Sequence, residues 1–421
     1  MTNTKTYDVV VIGGGPGGYV AAIRAAQLGL QTALVEKDEL GGVCLNWGCI
    51  PTKALLKNAE VLSYFQDASK WGLAFDGELK VDWGSAITRS RQVVKRLTTG
   101  VGALMKKNKI DVFKDEATVA AADTVALKGG QQIKTKNIIV ATGSSANTFG
   151  YKVDGQRIIT SNEAVVIKDI PRTILIMGAG AVGTEFASIF RTYGSAVTLI
   201  EMLPHVLPPE DDEIAEALTK ELTKQGITLL TSTKVENITP HDSGVTVNVS
   251  GASGAQTLEG DLILMAAGRS PNGKGLGLEQ LGVNVERGFV VTDAYSRTNV
   301  PGIYAIGDVT KAPLLAHKAM REGEIAAEMI AGKNPQPLNL DMIPHPTYCT
   351  PQVASIGLTE QQAKAKGLNY KIGRFPYRAI GKALAIGDYD GFVKLIVDAQ
   401  YGEILGAHII GPDATEGIHE I

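Results

Sequence analysis

Cysteine, histidine and aromatic residues are scarce in this 421-residue sequence, which has three Cys, six His and 6% aromatics. Three cysteines are too few for the disulfide framework of a small secreted protein. The formal net charge of −3 gives no electrostatic reason to expect nucleic-acid binding. No apolar run approaches the length of a transmembrane helix, and the mostly polar amino terminus is not typical of a signal peptide. We therefore expect a soluble, cytoplasmic protein that binds neither nucleic acid nor membrane.

Glycine, in contrast, is abundant, with 48 residues in the chain. Together with a hydrophobic fraction of 44%, this favours an α/β architecture with many tight turns. A chain of this length predicts two or three domains, each large enough to bury a core of its own.

A glycine-rich turn near the amino terminus has the context of a dinucleotide-binding fingerprint. Gly13 suits the tight turn, Gly15 lets a pyrophosphate approach the backbone, and Gly18 lets helix and strand pack closely. The amino terminus of the following helix would face the phosphates, and Glu36, at the end of the next strand, can accept the ribose hydroxyls. The predicted elements are strand 8–12, helix 19–29 and strand 32–35.

A second copy of this pattern begins after the predicted strand 174–177. Its glycines are Gly178, Gly180 and Gly183, and its terminal acid is Glu201. The spacing from first glycine to acid is the same in both copies, since 36 − 13 and 201 − 178 both equal 23. Two copies predict two dinucleotide domains. The Glu201 carboxylate would repel a ribose 2′-phosphate, and no Arg or Lys lies beside it, which favours NAD over NADP.

Three further apolar segments are predicted to be strands that end in turns near a ligand, although an ordinary strand end explains the first of them equally well without its context. They are residues 138–144, 262–269 and 302–308, the last of which carries Asp308. Long helical patterns are predicted over about 49–68, 83–107 and 315–331. Residues 333–346 are predicted to form a linker, and a helix is predicted near 360–366.

Two of the three cysteines, Cys44 and Cys49, follow the first fingerprint closely. On one regular helix they would lie about 7.5 Å apart along the axis, beyond the roughly 4.4–6.8 Å between the Cα atoms of a disulfide. We therefore expect Cys44 in an irregular lead-in, turns at Gly41, Gly42 and Gly48, and a helix from near Cys49. Such a pair suits a redox couple, although buried thiols or metal ligands remain alternatives for the two residues alone.

In this order, the features resemble those of the flavin-dependent pyridine nucleotide-disulfide oxidoreductases. The most specific element is Gly-Gly-Val-Cys-Leu-Asn-Trp-Gly-Cys-Ile-Pro-Thr-Lys at 41–53. The paired fingerprints, Ala141-Thr142-Gly143 and Ile306-Gly307-Asp308 support it, and the resemblance covers essentially the whole chain. It is closest to the branch of the family that oxidises dihydrolipoamide with NAD⁺.

The resemblance implies a role for each feature. Cys44 would be the outer sulfur, which exchanges with a substrate dithiol, and Cys49 the inner sulfur, which passes electrons to the flavin. Lys53 would lie beside the flavin and form an ion pair with Glu185. The implied FAD contacts are Gly13, Gly15, Pro16, Gly18, Glu36, Lys53, Ala117, Ala141, Thr142, Gly143, Asp308 and Ala316. The implied NAD contacts are Gly178, Gly180, Val182, Gly183, Glu201, Val235 and Gly268, and no metal site is implied.

The resemblance also implies an α/β fold with two Rossmann-like domains, for FAD and NAD, and an incomplete carboxyl-terminal α+β dimerisation domain. The expected boundaries are 1–148 and 271–343 for FAD, 149–270 for NAD and 344–421 for dimerisation. The expected partners are a second copy of the chain, in a homodimer, and the lipoyl-bearing protein of a 2-oxoacid dehydrogenase or glycine cleavage system.

One family feature is expected to be missing. A carboxyl-terminal His-Pro-Thr segment followed by a glutamate supplies the acid/base group in this family, and the sequence ends at Ile421 before it. His345-Pro346-Thr347 is not interpreted as its equivalent, because Thr350 stands where the glutamate would be. Losing a general base typically costs about 10²–10⁴-fold in rate. Another NAD(P)-linked flavin disulfide or metal-ion reductase, or a flavoprotein without turnover, therefore stays open as an alternative.

Overall fold

The computed structural model describes residues 6–252 and 254–421, which divide into two compact units. Unit 1 comprises residues 6–51, 91–145 and 269–340, and unit 2 comprises the described parts of 52–90, 146–268 and 341–421. The α-helices are α1 Pro16–Gln27, α2 Gly42–Asn46, α3 Cys49–Gln66, α4 Trp83–Lys107, α5 Ser161–Ala164, α6 Ala181–Thr192, α7 Asp212–Lys224, α8 Ala316–Ile330, α9 Glu360–Ala365, α10 Gly381–Ala385 and α11 Ala414–Gly417.

The strands are β1 Thr6–Ile12, β2 Thr32–Glu36, β3 Asp111–Lys114, β4 Ala117–Ala121, β5 Thr124–Leu127, β6 Gln132–Val140, β7 Ser144–Ala146, β8 Ile158–Ile159, β9 Thr173–Met177, β10 Ala196–Ile200, β11 Thr228–Leu230, β12 Lys234–His241, β13 Gly244–Gly251, β14 Gly254–Gly260, β15 Leu262–Met265, β16 Arg269–Pro271, β17 Val285–Glu286, β18 Phe289–Val290, β19 Ile303–Ala305, β20 His345–Thr347, β21 Gln352–Gly357, β22 Tyr370–Pro376, β23 Phe392–Asp398 and β24 Ile404–Gly411. Short 3₁₀ turns occur at Ala68–Trp71, Glu279–Leu281, Gly307–Val309, Leu340–Met342, Tyr377–Ala379 and Ile418–Glu420.

Unit 1 is built on one seven-stranded sheet in the order β3-β2-β1-β6-β5-β4, with β19 also paired to β6. Strands β3, β2, β1, β6 and β19 run parallel, and β4 and β5 add an antiparallel edge. Buried residues pack on both faces of β1, which explains its nearly continuous apolar sequence. In this register Ile12 lies opposite both Val35 and Val140, so the turns that follow these strands meet at one edge.

Helices α1 and α8 of unit 1 pack closely because glycines lie at their contact. A Cβ on Gly323 would stand 2.6 Å from the Gly17 carbonyl oxygen, and one on Gly17 would stand 2.9 Å from the Ala319 carbonyl oxygen. Neither position therefore tolerates a side chain without the helices moving apart.

Unit 2 contains a second parallel sheet, in the order β11-β10-β9-β15-β8. Met177, at the end of β9, lies opposite both Ile200 and Met265. The turns after these three strands therefore also meet at one edge of their sheet, as the corresponding turns do in unit 1.

Two antiparallel sheets complete unit 2: β12-β13-β14 and β20-β21-β24-β23-β22. A buried ion-pair cluster ties the second of these sheets to the start of α7. The Nζ of Lys394, on β23, lies 2.8 Å from Asp211, 2.6 Å from Glu213 and 2.6 Å from Glu360. Lys394 and Asp211 are both almost fully buried, so removing Lys394 would leave the Asp211 carboxylate buried without its cation.

The predicted elements agree with the structure except at some ends. Helix α4 has the predicted bounds, but α1 begins at Pro16 rather than Tyr19. The predicted linker over 333–346 is wrong at its end, since His345 already belongs to β20 and pairs with Ser355 of β21. Within the described residues, every helix is too short or too polar to cross a lipid bilayer.

Candidate active site

The first fingerprint is a tight turn closed by backbone contacts within unit 1. Gly13 has φ +107°, and its N–H donates to the Val35 carbonyl oxygen at 2.8 Å. A Cβ on Gly18 would lie 1.9 Å from the Gly13 carbonyl oxygen, so helix α1 can approach β1 this closely only with glycine there. The Oε2 atom of Glu36 accepts the Gly14 N–H at 2.6 Å.

The amino terminus of α1 offers a cradle of the kind that a pyrophosphate occupies. Gly15 is the N-cap residue and supplies no side-chain cap, and Pro16 occupies the first turn. The remaining N–H groups of that turn lack helical partners, and the helix dipole favours an anion there. A Cβ on Gly15 would point toward the Gly42 Cα at 3.9 Å and narrow this cradle. These residues fit the nucleotide of FAD.

The second fingerprint, in unit 2, repeats this geometry. Gly178 has φ +102°, and its N–H donates to the Ile200 carbonyl oxygen at 2.7 Å. A Cβ on Gly183 would again lie 1.9 Å from the first glycine's carbonyl oxygen. Glu201 is buried, and its Oε2 accepts the Ala179 N–H at 2.8 Å. The space around the Cβ direction of Gly180 is open. These residues fit the nucleotide of NAD.

The turn after β6 and the turn after β19 lie within unit 1 and share partners. Gly143 has φ +69°, and Thr142 exchanges hydrogen bonds with Asn272 at 2.9 and 3.0 Å. Asp308 accepts the Ser144 hydroxyl at 2.6 Å, and Arg269 donates to the same hydroxyl at 2.7 Å. These contacts fix a carboxylate at the edge where the first fingerprint lies.

A buried ion pair inside α8 holds the loop that carries Asp308. Lys318 and Glu322 are 2.9 Å apart, and Lys318 also donates to the Thr310 hydroxyl at 2.8 Å. Glu322 accepts the Gly307 N–H at 2.7 Å. Burial raises the pKa of the Glu322 carboxyl, against the opposing effect of Lys318.

Cys44 and Cys49 are joined in a disulfide within unit 1, with their Cα atoms 4.7 Å apart. Cys49 is the first residue of α3, as predicted, but Cys44 lies within the short helix α2 and not in an irregular segment. Of the three residues expected in turns, Gly41 and Gly42 have left-handed φ values of +98° and +56°, and Gly48 lies in the bend between α2 and α3. Because the helical backbone is interrupted at residues 47–48, between the five-residue helix α2 and the 18-residue helix α3, the two Cα atoms come closer than one continuous helix would allow. The disulfide favours the redox interpretation over the metal-ligand one.

The predicted ion pair between Lys53 and Glu185 is present within unit 2. The Lys53 Nζ lies 2.8 Å from each carboxylate oxygen of Glu185, which is almost fully buried. The Tyr348 N–H donates to Glu185 at 3.1 Å, and its ring lies 4.3 Å from the Lys53 Nζ. Cys349, the next residue, is buried, and burial strongly raises the pKa of its thiol, as suits a structural residue. The effect of the ion pair on the flavin stays a prediction.

The remaining predicted contacts are distributed between the two units. In unit 1, Ala117 is buried at the start of β4 and Ala316 is the first residue of α8. In unit 2, Val182 lies in the first turn of α6, Val235 at a register shift in β12, and Gly268 at φ +91° after β15. Their contacts with cofactors stay predictions.

Sequence reasoning missed several residues that shape the site. Asn272 and Arg269 act through partners more than 100 residues away in sequence, and Lys318 and Glu322 act through each other and the loop that precedes α8. Only the i, i+4 spacing of Lys318 and Glu322 was a local signal, and it looks the same for an exposed pair.

The chain belongs to the pyridine nucleotide-disulphide oxidoreductase family, whose model matches residues 7–323. Members of this family are FAD- and NAD-dependent flavoproteins. The model of the family's dimerisation domain matches residues 343–421.

Curated relatives include dihydrolipoyl dehydrogenases from several bacteria. That of Rhizobium etli is 45% identical, over 98% of this chain and 90% of the relative. Those of Zymomonas mobilis and Mycobacterium tuberculosis are each 46% identical, over 98% and 99% of this chain and 90% of each relative.

Two solved structures share the fold over nearly the whole chain. LpdA from Mycobacterium tuberculosis has a TM-score of 0.90 at 26% identity, covering 98% of this chain and 92% of that one. The HOCl-induced flavoprotein disulfide reductase RclA from Escherichia coli has a TM-score of 0.86 at 29% identity, with the same two coverages.

Proposed function

We infer that this chain is a dihydrolipoyl dehydrogenase, which oxidises protein-bound dihydrolipoamide to lipoamide and reduces NAD⁺. The observation that carries this inference is the Cys44–Cys49 disulfide, which follows the first fingerprint directly. Relatives named dihydrolipoyl dehydrogenase, at 45–46% identity over nearly the full chain, support the same substrate.

The chemistry of the cysteine pair is thiol–disulfide exchange. A thiolate of the substrate attacks one sulfur of the enzyme disulfide and forms a mixed disulfide, which the second substrate thiol then resolves. The substrate leaves as a cyclic disulfide, and both enzyme cysteines are reduced. We propose that Cys44 is the exchanging sulfur and Cys49 the inner one, because the amino terminus of α3 would stabilise a Cys49 thiolate.

FAD would supply the two-electron carrier between the cysteine pair and NAD⁺. We propose that Gly13, Gly15, Pro16, Gly18 and Glu36 hold its nucleotide. Further proposed contacts are Ala117, Ala141, Thr142, Gly143, Asp308 and Ala316. The second fingerprint, with Glu201, would hold NAD, and the further proposed contacts there are Val182, Val235 and Gly268. The two carboxylate oxygens of Glu201 accept the backbone N–H groups of Ala179 and Leu203, which fixes the carboxylate in place. Its negative charge would repel a 2′-phosphate on the ribose.

Lys53 is proposed to act on the flavin through its charge. The bidentate contact with Glu185 fixes the ammonium group, and the Tyr348 ring lies close to the same group. A cation held in this way would stabilise negative charge that develops on a neighbouring group.

The match to the dimerisation domain supports a homodimer. We propose that residues 344–421 form this domain, that residues 149–270 bind NAD, and that residues 1–148 and 271–343 bind FAD. The second partner would be a lipoyl-bearing protein of a 2-oxoacid dehydrogenase or glycine cleavage system.

A second candidate function is that of a flavoprotein disulfide reductase such as RclA. The 29% identity to that protein is well below the 45–46% to the dihydrolipoyl dehydrogenases, which favours the first candidate. The two candidates are separated by measuring two rates: NAD⁺ reduction by dihydrolipoamide, and NADH oxidation by other disulfides. A faster first reaction favours the dehydrogenase, and a faster second reaction favours the reductase.

The proposed function is tested on the purified, FAD-loaded protein. Dihydrolipoamide should bleach the flavin absorbance, and adding NAD⁺ should restore it with formation of NADH. The Cys44→Ser variant should lose reduction by dithiols and keep reduction of the flavin by NADH. Cys349→Ala, which removes the buried third thiol, should keep both.

Two outcomes would contradict this assignment. A native protein that dithiols cannot reduce would exclude the dehydrogenase activity. A Cys44→Ser variant that NADH also fails to reduce would show that the proposed order of the two sulfurs is wrong.

A further inference from the structure

The peptide between the two cysteines is held by an arginine from a different helix. Arg91, on α4, donates from its Nη1 to the Asn46 carbonyl oxygen at 2.5 Å. Its guanidinium carbon lies 4.8 Å from the centre of the Trp47 ring, within the range of a cation–π contact. Both contacted residues stand between Cys44 and Cys49 in sequence, so a single side chain holds the loop that the disulfide closes.

The same loop is also held by the side chain of Asn46, which bonds to the backbone of the preceding turn. The Asn46 side-chain amide is buried and donates to the Gly42 carbonyl oxygen at 2.9 Å and to the Leu40 carbonyl oxygen at 3.1 Å. Residue 46 is therefore fixed through its side chain by the preceding turn and through its carbonyl oxygen by Arg91.

Arg91 can hold the loop because its helix is itself anchored. Val101 and Met105, further along α4, are buried in the core cluster of unit 1, and Val94 is buried as well. The guanidinium group is half-buried, and this burial lowers its pKa, although arginine stays protonated in proteins. A planar group with several donors can serve a carbonyl oxygen and an aromatic face at once, which an ammonium group does less well.

The equilibrium between a disulfide and two thiols depends on how closely the protein holds the thiols together in the reduced state. A loop that loosens on reduction lowers the effective concentration of one thiol at the other, and the disulfide becomes easier to reduce. Contacts that survive opening of the S–S bond therefore lower the reduction potential. The contacts of Arg91 with Asn46 and Trp47 do not involve the sulfurs, so opening the bond need not break them.

We propose that Arg91 is a positioning residue for the redox pair: by holding Asn46 and Trp47, it keeps Cys44 and Cys49 at bonding distance when they are reduced. The step it acts on is the two-electron reduction of the enzyme disulfide. The S–S bond of Cys44–Cys49 breaks, the substrate dithiol forms its own S–S bond, and its two protons pass to the enzyme thiols or to solvent. The proposal depends on the proposed function only in taking this pair as redox-active.

The test is a redox titration of the FAD-loaded protein in buffers of oxidised and reduced dithiothreitol. After acid quenching and thiol alkylation, peptide mapping gives the fraction of Cys44 and Cys49 that is oxidised, and Cys349 is scored separately. Replacing Arg91 by Met removes both contacts and keeps much of the side-chain volume. We expect an approximately tenfold fall in the equilibrium constant that favours the disulfide, which corresponds to a potential about 30 mV higher.

Two further variants separate the possible causes. Arg91→Lys keeps the charge but loses the planar group, and it should shift the potential in the same direction by a smaller amount. Arg96→Met removes an exposed arginine of the same helix and should leave the potential unchanged. Trp47→Leu removes the ring contact alone, and it should also raise the potential. This variant tests the proposal if Arg91→Met cannot be purified.

The proposal is overturned if Arg91→Met retains FAD and keeps the native potential. It is also overturned if Arg91→Met lowers the potential while Arg91→Lys leaves it native, because the guanidinium would then act through its charge and not by holding the loop. A purely structural role would lower thermal stability without moving the potential. Failure of the proposed function would look different: the pair would titrate reversibly, but dihydrolipoamide would not reduce NAD⁺.

Discussion

The turn at Gly13–Gly18 and the turn at Gly178–Gly183 have the same internal hydrogen bonds but different surroundings. In both, a residue after the second strand folds back to the turn: the Gly41 N–H donates to Gly14 at 2.8 Å, and the Leu207 N–H donates to Ala179 at 2.8 Å. In unit 1 the returning segment continues into Gly42, where a Cβ would stand 2.6 Å from the Gly15 Cα. A Cβ on Gly15 itself would meet only the Gly42 Cα, at 3.9 Å, and a Cβ on Gly180, the equivalent position in unit 2, would meet no atom within 4 Å.

This difference suits two cofactors with different residence times. A turn covered by its own returning chain would release a nucleotide only if that chain moved. An open turn lets a nucleotide enter and leave without rearrangement. We therefore expect the first turn to retain FAD through purification and the second to exchange NAD in each catalytic cycle, and four predictions test this comparison.

The largest effects are expected from adding a methyl group at the last glycine of either turn, Gly18 or Gly183. Gly18→Ala and Gly183→Ala each place a Cβ 1.9 Å from a carbonyl oxygen, so helix and strand must separate. Overpacking of this kind costs roughly 1–3 kcal/mol. Gly18→Ala should yield colourless protein, whereas Gly183→Ala should stay yellow but bind NADH about 10²-fold more weakly. Flavin absorbance after gel filtration measures FAD retention, and titration with NADH measures nicotinamide binding. A yellow Gly18→Ala variant and a colourless Gly183→Ala variant would show that the two cofactors are assigned to the wrong turns.

The next effect concerns the acid that ends each pattern. Glu201 accepts N–H groups from Ala179 and Leu203, both at 2.8 Å, and we propose that it also binds the ribose of NAD. Glu201→Ala should weaken NAD binding by about 10–100-fold, since hydrogen bonds to charged groups contribute roughly 1.5–3 kcal/mol. Flavin content should not change. The matched variant Glu36→Ala should instead lower flavin content, and equal loss of both cofactors in Glu201→Ala would contradict the assignment.

A smaller effect is expected at Gly42 and Gly180, where the returning chain packs against the first turn but leaves the second turn open. Gly42→Ala introduces a side chain at φ +56° against Gly15, so we expect a loss of about 1 kcal/mol in the free energy of unfolding and weaker flavin retention. Gly180→Ala has room for its methyl group in the free protein and should fold normally. Its NAD affinity should fall severalfold because the methyl group narrows the cradle. If both variants lose only stability, the difference in covering has no bearing on cofactor retention.

The smallest effect is a pH dependence in unit 2, where the returning segment leads to the buried carboxyl of Glu210. Burial raises the pKa of this carboxyl to about 7, with Asp211 adding to the shift and a hydrogen bond from Ser355 opposing it. The folded state therefore holds a proton that the unfolded state releases near its ordinary pKa. The contribution to stability is complete below that ordinary value and is lost as the pH rises through about 7.

Removing this carboxyl should remove the pH dependence. The free energy of unfolding of Glu210→Gln, relative to the native protein, should rise between about pH 5 and pH 8 by roughly 1–3 kcal/mol. Glu216→Gln, an exposed neighbour on α7, serves as the control and should show no such change. Parallel curves for Glu210→Gln and the native protein would show that this carboxyl does not titrate in that range.

Local patterns in the sequence were enough to predict the elements around both turns. Glycine spacing, apolar runs and a terminal acid are short-range signals, and the long apolar period of α4 gave its bounds correctly. The backbone conformation around Cys44 was predicted wrongly, because a short helix can precede the break at Trp47 and Gly48 as readily as an irregular lead-in can. Helix ends in short segments depend on tertiary contacts that the spacing of residues does not encode.

The contacts that complete the sites were less predictable. The pairing of Lys53 with Glu185 came from the family resemblance, since 132 residues separate them and no local pattern joins them. The Lys394 cluster and the contact of Arg91 with Asn46 were not predicted at all. A buried lysine and an exposed one have the same sequence signature, and only the fold shows which of the two becomes costly to lose.

The backbone contact between Gly42 and Gly15 has a consequence for how the protein matures. The peptide that closes over the nucleotide cradle is the same one that begins α2 and carries Cys44. The backbone of Gly41 and Gly42 already packs against Gly14 and Gly15 without a ligand, and a flavin nucleotide bound in the cradle would add a further contact to this peptide. We expect newly made chains to acquire their cofactor first and to form the Cys44–Cys49 bond afterwards, so that flavin-starved cells would accumulate the thiol form.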